Sequence, residues 1–413
     1  MAHAHSATQP KVPAKSISAQ PKNVPASIPE SKNAPKRNKL HILLPLKKVP
    51  SLLKKNAVTV VAFVAACVTS VIVPPDAQYL GYFDVKTLTC LFCVLAVVCA
   101  LKNIRFFYIL AQRIVQCFKN ARMSVLALVY ITFIGSMLIA NDMALLTFLP
   151  LGYFVLHTTQ KEKYMAFTFI MQNIAANLGG MLTPFGNPQN LYLYTKFNIP
   201  TGEFMGIMAV PFAVSIALIT VLCIVFVRPE PLQLLDSGDT LPKGRTALYL
   251  ALFALSIAIV FRGIPYWIGL LVIPAVLLFA DRDALKKVDY PLLLTFVFFF
   301  IFAGNMARID LVRDLFSTLL DKSTLLFSVL SCQVISNVPS AILLSQFTEN
   351  YNELLVGVNI GGVGTLIASL ASLITFREYT AHNPEKTKSY LFQFTAYSFG
   401  FVIVLTAISM LTL

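Results

Sequence analysis

Hydrophobic residues in this chain are gathered into long runs, many of which have the length of a membrane-spanning helix. Four examples are residues 57–73, 85–101, 204–227 and 391–413. A helix needs roughly 20 predominantly apolar residues to cross the hydrocarbon of a bilayer. With 57% hydrophobic and 13% charged residues over 413 positions, the composition agrees with this pattern. The sequence therefore predicts an all-α, polytopic membrane protein.

Two of the apolar runs are interrupted by glycine, proline and uncharged polar residues. Residues 177–190 read NLGGMLTPFGNPQN, and residues 359–369 read NIGGVGTLIAS. Backbone at membrane depth can be irregular only where it is buried in protein or lines a polar cavity. We therefore predict two broken spans, at residues 164–196 and 354–376. The two stretches align without a gap, which pairs Asn177 with Asn359, Gly179 with Gly361, Gly180 with Gly362, Thr183 with Thr365, and Asn187 with Ser369.

An apolar segment with a polar centre precedes each broken span. Residues 123–157 are apolar except around Asn141 and Asp142, and basic residues lie at both ends of this segment. Since positive residues mark the cytoplasmic side of a span, the segment is predicted to enter and leave the membrane on one side, as a re-entrant hairpin. Residues 324–347 form the matching hairpin, whose centre reads Ser336-Asn337-Val338-Pro339.

The same order of elements occurs twice, which predicts an internal repeat. Repeat A is assigned to residues 56–228 and repeat B to residues 264–413, and residues 229–263 supply a linker and one connecting span. With about nine membrane-crossing helices, the odd connecting span places repeat B upside down relative to repeat A. Inverted repeats with paired broken helices are common among secondary transporters.

Most of the positive charge lies ahead of the first apolar run. The formal charge of the chain is +14, and residues 1–55 contain ten Lys and one Arg against Glu30, a net charge of +10. A basic segment beside a span is typical of the cytoplasmic side, where it can contact anionic lipid. The tail has no aromatic residue to stack on bases, which argues against nucleic acid as a partner, and its polar composition predicts disorder. We therefore expect a multi-pass protein of the inner (cytoplasmic) membrane with a cytoplasmic N-terminus.

In an inverted pair, the hairpin tips and the helix breaks converge near the middle of the bilayer and form the predicted binding site. Amide and hydroxyl oxygens suit Na⁺, and exposed N–H groups at the breaks suit a small anion. The residues predicted to bind an ion are Asn141, Asp142, Asn177, Gly179, Gly186, Asn187, Ser336, Asn337, Asn359 and Gly361. Those predicted to bind substrate are Asn141, Asp142, Thr183, Pro184, Asn187, Pro188, Asn337, Val338, Pro339, Thr365 and Ser369. Apart from bound Na⁺, no metal or cofactor is expected.

Charged residues at membrane depth leave two modes of coupling open. Asp142 is costly in a membrane unless it is paired or functional, so it is either a cation ligand or a proton carrier. Arg262, Arg308 and Arg377 could bind an anion, but they lie near span ends. An arginine in that position commonly extends to the membrane interface.

An intramembrane enzyme and a channel are the two alternatives to a transporter. An intramembrane enzyme needs a nucleophile with a base, or metal ligands at a usable spacing. The five histidines lie in the tail or at span ends, and Asp142 alone does not equip a catalytic site, so an enzyme is not expected. A channel also uses irregular backbone and hairpins. It would differ from a transporter in showing no counterflow exchange of substrate across a sealed vesicle.

The paired motifs resemble those of a known group. The sequence NDMALLTFLP at residues 141–150, followed by NLGG at 177–180 and TPFGNPQN at 183–190, is similar to that of the ion transporter superfamily. This superfamily includes arsenite-pump permeases, NhaD-type Na⁺/H⁺ antiporters, citrate permeases and divalent anion/Na⁺ symporters. The resemblance covers residues 57–413. It implies an inverted repeat with one hairpin opening to each side, a homodimer, and an elevator motion of the hairpin-bearing domain.

The hairpin tips refine what the resemblance implies about substrate. The symporter branch carries Ser-Asn-Thr at both tips, whereas this chain has Ala-Asn-Asp at residues 140–142 and Ser-Asn-Val at residues 336–338. The Asn-Asp tip looks closer to the arsenite and citrate permeases. The resemblance thus implies a secondary active transporter of a small organic or inorganic anion, of the di- or tricarboxylate or oxyanion class, coupled to Na⁺ or H⁺. A Na⁺/H⁺ antiporter without an anion substrate is the alternative.

Overall fold

Helices account for the regular structure in residues 57–232 and 240–413, the parts of the chain that the computed structural model describes. The predicted basic tail, residues 1–55, lies outside them. No β-strand occurs within these ranges. The protein is an all-α polytopic membrane protein, as predicted.

The helices follow the predicted order. The first group contains α1 (Ala57–Ile72), α2 (Val85–Asn103), α3 (Phe106–Gln116), α4 (Ala121–Ile139), α5 (Asn141–Thr158), α6 (Met165–Gly179), α7 (Pro188–Lys196) and α8 (Thr201–Phe226). The connecting helix α9 (Lys243–Val260) follows. The second group contains α10 (Tyr266–Ala280), α11 (Arg282–Lys286), α12 (Tyr290–Ala307), α13 (Asp310–Lys322), α14 (Thr324–Ile335), α15 (Asn337–Leu344), α16 (Tyr351–Gly361), α17 (Leu370–His382) and α18 (Thr387–Thr412).

Equivalent helices in the two halves begin with the same local chemistry. Asp84 precedes α2 and accepts the Thr87 amide at 2.9 Å, and Asp289 precedes α12 and accepts the Leu292 amide at 3.0 Å. Such caps satisfy N–H groups that have no partner within the helix. The two halves therefore share start signals as well as helix order.

Contacts between the two halves follow a two-fold pattern. α1 lies against α12, and its counterpart α10 lies against α2. In the same way, α5 contacts α17 while α15 contacts α7, and α8 contacts its own counterpart α18. Exchanging the halves leaves this set of contacts unchanged, which supports a repeated architecture. The repeat boundaries and the inversion of repeat B stay predictions.

Within the described residues, six helical segments are long and apolar enough to cross a membrane: α2, α4, α8, α9, α12 and Pro384–Thr412, which includes α18. α1 and α10 are apolar but have only 16 and 15 residues, about 24 Å of helix or less. Each broken span is divided between two helices, α6 with α7 and α16 with α17. α4 belongs to the first predicted hairpin and is as long as a crossing helix, so its re-entrant course stays a prediction.

The second broken span extends beyond the predicted residues 354–376. α16 begins at Tyr351 after the capping residue Asn350, and α17 continues to His382. The prediction stopped where the charged pair Arg377 and Glu378 begins. A helix can continue past its apolar part, because its backbone hydrogen bonds do not depend on side-chain polarity.

A polar cluster outside the spans joins the end of α8 to the start of α6. Glu230 accepts hydrogen bonds from Lys161 at 2.8 Å, from Tyr164 at 2.8 Å, and from Lys163. These donors lower the pKa of Glu230 to about 2. Since the cluster connects the end of the first hairpin with the α8 loop, it fixes the chain at the base of the first broken span.

Candidate binding site between the hairpin tips

The two hairpins turn through the same unusual backbone conformation. Ala140 has φ 64° and ψ 152°, and Ser336 has φ 74° and ψ 159°. Residues other than glycine rarely adopt this region, which costs about 1–3 kcal/mol and is found mainly at functional sites. The next residues, Asn141 and Asn337, begin α5 and α15. Two equivalent strained turns point to a shared role for the two tips.

Both tips are tied to the neighbouring helix breaks by equivalent hydrogen bonds. Thr183 Oγ1 donates to the Met137 carbonyl at 2.9 Å, and Thr365 Oγ1 donates to the Gln333 carbonyl at 3.3 Å. Each acceptor lies three residues before its tip residue. The two threonines therefore position the hairpins, which explains why they are paired in the sequence.

Buried amide side chains connect the first tip to both helix breaks. Asn141 Nδ2 donates to Asn177 Oδ1 at 3.1 Å, and Asn187 Nδ2 donates to the Asn177 carbonyl at 3.2 Å. Asn187 Nδ2 also donates to Asn359 Oδ1 at 3.2 Å. None of the four is more than 4% exposed. Because an unpaired buried amide is costly, these bonds hold the tip and the breaks in one arrangement.

The side chain of Asn359 joins the two halves of the chain by hydrogen bonds. Its Nδ2 donates to Asn190 Oδ1 at 2.6 Å and to the Leu355 carbonyl at 2.8 Å. Its Oδ1 accepts Gln189 Nε2 at 3.3 Å, in addition to the bond from Asn187. The first helix of one broken span is thus bound to the second helix of the other.

The reciprocal connection joins α6 to α17. Asn173 Nδ2 donates to Ser372 Oγ at 3.2 Å, and Thr375 Oγ1 donates to Asn173 Oδ1 at 3.4 Å. Ser372 lies on α17 at the position that pairs with Asn190 on α7. The two broken spans therefore hold each other through buried polar contacts in both directions.

Close backbone approach explains two of the paired glycines. A Cβ on Gly179 would overlap the Phe133 carbonyl of α4. A Cβ on Gly361 would lie 3.0 Å from the Val329 carbonyl of α14. Glycine at these positions lets each broken helix lie directly against the first helix of its hairpin.

Replacing Gly186 with alanine is expected to destabilise the first break and to lower the melting temperature of the protein. The new Cβ would overlap the Gly180 carbonyl, and backbone cannot move aside as a flexible side chain can. Overpacking of this kind costs about 1–3 kcal/mol or more. Gly206→Ala is the matched control, because within the described residues no atom beyond its chain neighbours and its own helix backbone lies within 4 Å of the added Cβ. The melting temperatures of the two variants in detergent check the prediction, and equal values for both would contradict it.

A cavity of about 440 Å³ lies between the two tips, a volume typical of ligand sites. The two tips and the starts of α7 and α17 form part of its lining, and α1 and α12 supply the opposite wall. In that wall, the hydroxyls of Thr59 and Thr295 are hydrogen-bonded at 2.8 Å. The cavity is thus bounded by equivalent elements from both halves together with a separate helix pair.

Three ionisable side chains line this cavity: Asp142, Asp289 and Arg377. Asp142 Oδ1 is buried and has no hydrogen-bond partner among the described residues. Gln189 also lines the cavity, and its Oε1, like Asn187 Oδ1, is buried without such a partner. Oxygen atoms that lack donors are suited to a cation, or in the case of Asp142 to a proton.

The predicted residues divide into a lining group and a supporting group. The lining group contains Asn141, Asp142, Pro188, Ser336, Asn337, Val338, Pro339 and Ser369. The others lie outside that lining, in the helix breaks and their supports: Asn177, Gly179, Thr183, Pro184, Gly186, Asn187, Asn359, Gly361 and Thr365. The binding roles of both groups stay predictions.

Several lining residues were missed or set aside by sequence reasoning. Gln189 lies inside the first motif without a feature that distinguishes it there, and in the sequence Thr59 and Thr295 are single polar residues within spans. Asp289 is both a helix cap and a lining residue. The sequence feature that marks these residues is a polar side chain within or at the end of an apolar run. This feature does not show which face of the helix lines the cavity.

The three arginines near span ends have different surroundings. Arg262 donates to the Tyr194 carbonyl at 2.7 Å and lies over the Tyr194 ring at 4.1 Å. Arg308 pairs with Asp76 at 2.7 Å, which lowers the pKa of Asp76. Arg377 is the member of this group that lines the cavity.

These features define a polytopic membrane transporter, built from two hairpins and two broken helices around one cavity. Residues 49–353 match the citrate transporter family, so the chain belongs to this family. An uncharacterized transporter of Methanocaldococcus jannaschii is 32% identical over 293 residues, which cover 71% of this chain and 80% of that protein. The inner membrane protein YbiR of Escherichia coli K12 is 29% identical over 279 residues, 66% of this chain and 74% of that protein.

Proposed function

We propose that this protein is a secondary active transporter that carries a small anion together with H⁺ or Na⁺. A di- or tricarboxylate of the citrate type is the substrate class favoured by the family match. The observation that carries the proposal is the cavity between the two tips, which has Asp142 and Arg377 in one lining. An inorganic oxyanion is the other substrate class to be tested.

The charges of the cavity favour coupling to a cation. With Asp142 and Asp289 ionised, two negative charges and the positive charge of Arg377 would surround the substrate. Such a site repels a multivalent anion, because charges interact strongly where water is scarce. A proton on Asp142 or Na⁺ beside it removes one negative charge. Anion binding and cation binding would then favour each other, which is the basis of symport.

The helix contacts favour an elevator mechanism. The hairpins and broken spans hold one another through the buried amide network, whereas α1 packs mainly on α12, and α2 packs mainly on α9 and α10. The first set would move across the second and carry the hairpin tips and the helix breaks, with the substrate bound to them. We extend the proposal to a homodimer in the inner membrane with a cytoplasmic N-terminus.

The second candidate is a Na⁺/H⁺ antiporter without an anion substrate. The buried Asp142 Oδ1, which has no partner among the described residues, favours it because one carboxylate can bind either cation in turn. Arg377 in the same lining favours the anion transporter instead.

Uptake by purified protein in sealed proteoliposomes tests the proposal. Labelled citrate, succinate, phosphate and arsenite are offered with a pH gradient, or with Na⁺ against choline, and counterflow is measured with preloaded unlabelled substrate. Cation-dependent accumulation and counterflow of one class are expected. A Na⁺-dependent pH change without any anion would support the antiporter. Transport without counterflow would indicate a channel.

A further inference from the structure

Arg377 lies on the face of α17 that lines the cavity. The lining residues of this helix and its cap are Ser369, Leu370, Leu373 and Arg377. Their spacing of one, three and four residues places them along one helix face. Eight residues separate Ser369 from Arg377, which corresponds to about 12 Å along the helix. The face thus extends from the helix break to residue 377, and the Cα–Cβ bond of a helical residue tilts back toward the start of its helix.

The two ends of this face are polar, and its middle is apolar. Ser369 lies near the break, where it caps α17 by accepting the Ala371 amide at 3.2 Å. Leu370 and Leu373 follow, and Phe299 of α12 also lines the cavity. A ligand with anionic groups at two points, joined by a carbon skeleton, matches this sequence of surfaces.

The Arg377 guanidinium has no hydrogen-bond or ion-pair partner among the described residues. Arg262 and Arg308 differ from it, because both of those side chains have protein partners that explain their positions. A guanidinium group offers a planar set of donors that fits a carboxylate with two parallel bonds. The side chain of Arg377 is therefore available to a ligand in the cavity.

We propose that Arg377 determines substrate specificity by binding a second carboxylate of the transported anion, while the hairpin tips bind the first. The inference rests on the proposed function and adds to it the requirement for at least two carboxylates. Monocarboxylates would occupy the tip region without reaching Arg377. Monocarboxylates would then bind more weakly than dicarboxylates, because they lack the contact with Arg377. A neutral group at residue 377 would remove this difference.

A series of carboxylates tests the proposal in proteoliposomes. The KM for uptake of citrate, succinate, glutarate and acetate is measured for the wild type, Arg377→Gln and Arg377→Lys. Loss of a charged hydrogen bond predicts a rise in KM of about 10- to 100-fold for the di- and tricarboxylates of Arg377→Gln. No change is expected for acetate, and Arg377→Lys should recover part of the loss because it keeps the charge without the planar donors.

Arg282→Gln is the matched control, since Arg282 is exposed and lies outside the cavity lining, and its side-chain hydrogen bond within the described residues goes to the Leu278 carbonyl at 2.8 Å. Thermal shift by the same anions in detergent gives a second readout, because a ligand that binds the folded state stabilises it. The melting temperature without ligand shows whether each variant is folded. If Arg377→Gln is not folded, Arg377→Lys is used to test the proposal.

Two results would overturn the inference. In the first, the wild type transports citrate, and both Arg377 variants have the wild-type KM for each of the four carboxylates. Arg377 then only reaches the membrane interface, and the proposed transport function is unaffected. If the wild type neither binds nor transports any of the anions, the proposed function fails, and the role of Arg377 fails with it. The wild-type measurement therefore distinguishes the two failures.

Discussion

Replacing Asn359 with alanine is expected to lower the thermal stability of the protein and to abolish uptake. The Asn359 amide is 1% exposed and bonds to Asn187, Gln189 and Asn190 of the other half of the chain. A buried polar group that loses its partner costs about 1–3 kcal/mol. Since three partners lose a bond, the loss of stability should reach several kcal/mol. The melting temperature in detergent and the uptake rate in proteoliposomes measure the two effects.

Asn352→Ala provides the control for that variant. Asn352 lies on the same helix, α16, but its side chain is exposed. The same substitution there should change both measurements little. The explanation of the amide network would be wrong if Asn359→Ala melted and transported like Asn352→Ala.

The paired features of the site could be predicted from the sequence because they depend on local rules. Single prolines lie inside α5, α8 and α10, but glycines or prolines clustered with polar residues indicate a break, so the interruptions at residues 183–187 and 362–369 follow from the chain itself. The alignment of Thr183 with Thr365 is matched by their equivalent bonds to the two hairpins. Similar sequence at equivalent positions gave similar local structure.

The wall opposite the tips could not be predicted, because it depends on tertiary contacts between distant helices. Thr59 and Thr295 are 236 residues apart and meet only when α1 lies against α12. Within an apolar run the sequence does not show which face turns to protein and which to lipid. The same limit applies to Arg377, which has the sequence context of an interfacial arginine but lines the cavity.

The two halves differ in the positions of their charged side chains at the site. Asp142 occupies the first tip, whereas Val338 takes the equivalent position in the second. Arg377 lies on α17, whereas the aligned residue on α7 is Thr195. The repeat therefore provides a symmetric frame of amides and hydroxyls, and one charged substitution in each half makes the cavity asymmetric. This asymmetry separates a group suited to a cation from a group suited to an anion.

Replacing Asp142 with asparagine is expected to abolish cation-driven accumulation while leaving counterflow exchange intact. Asparagine has nearly the shape of a protonated aspartate but cannot bind or release a proton. For one proton moved with the substrate, a gradient of one pH unit corresponds to about 1.4 kcal/mol, or tenfold accumulation of a neutral complex. The variant should reach no such accumulation. Counterflow needs only exchange of bound substrate, so it should continue at a comparable rate.

The two possible coupling ions give different results in this variant. With proton coupling, Asp142→Asn loses the response to pH, and replacing Na⁺ with choline has no effect on either protein. With Na⁺ coupling, the wild type requires Na⁺ and the variant loses that requirement, because a ligand carboxylate has been neutralised. Asp283→Asn is the control, since Asp283 is exposed and its ion pair within the described part of the chain is with the exposed Lys286. Accumulation by Asp142→Asn at the wild-type level under both gradients would show that coupling does not pass through Asp142.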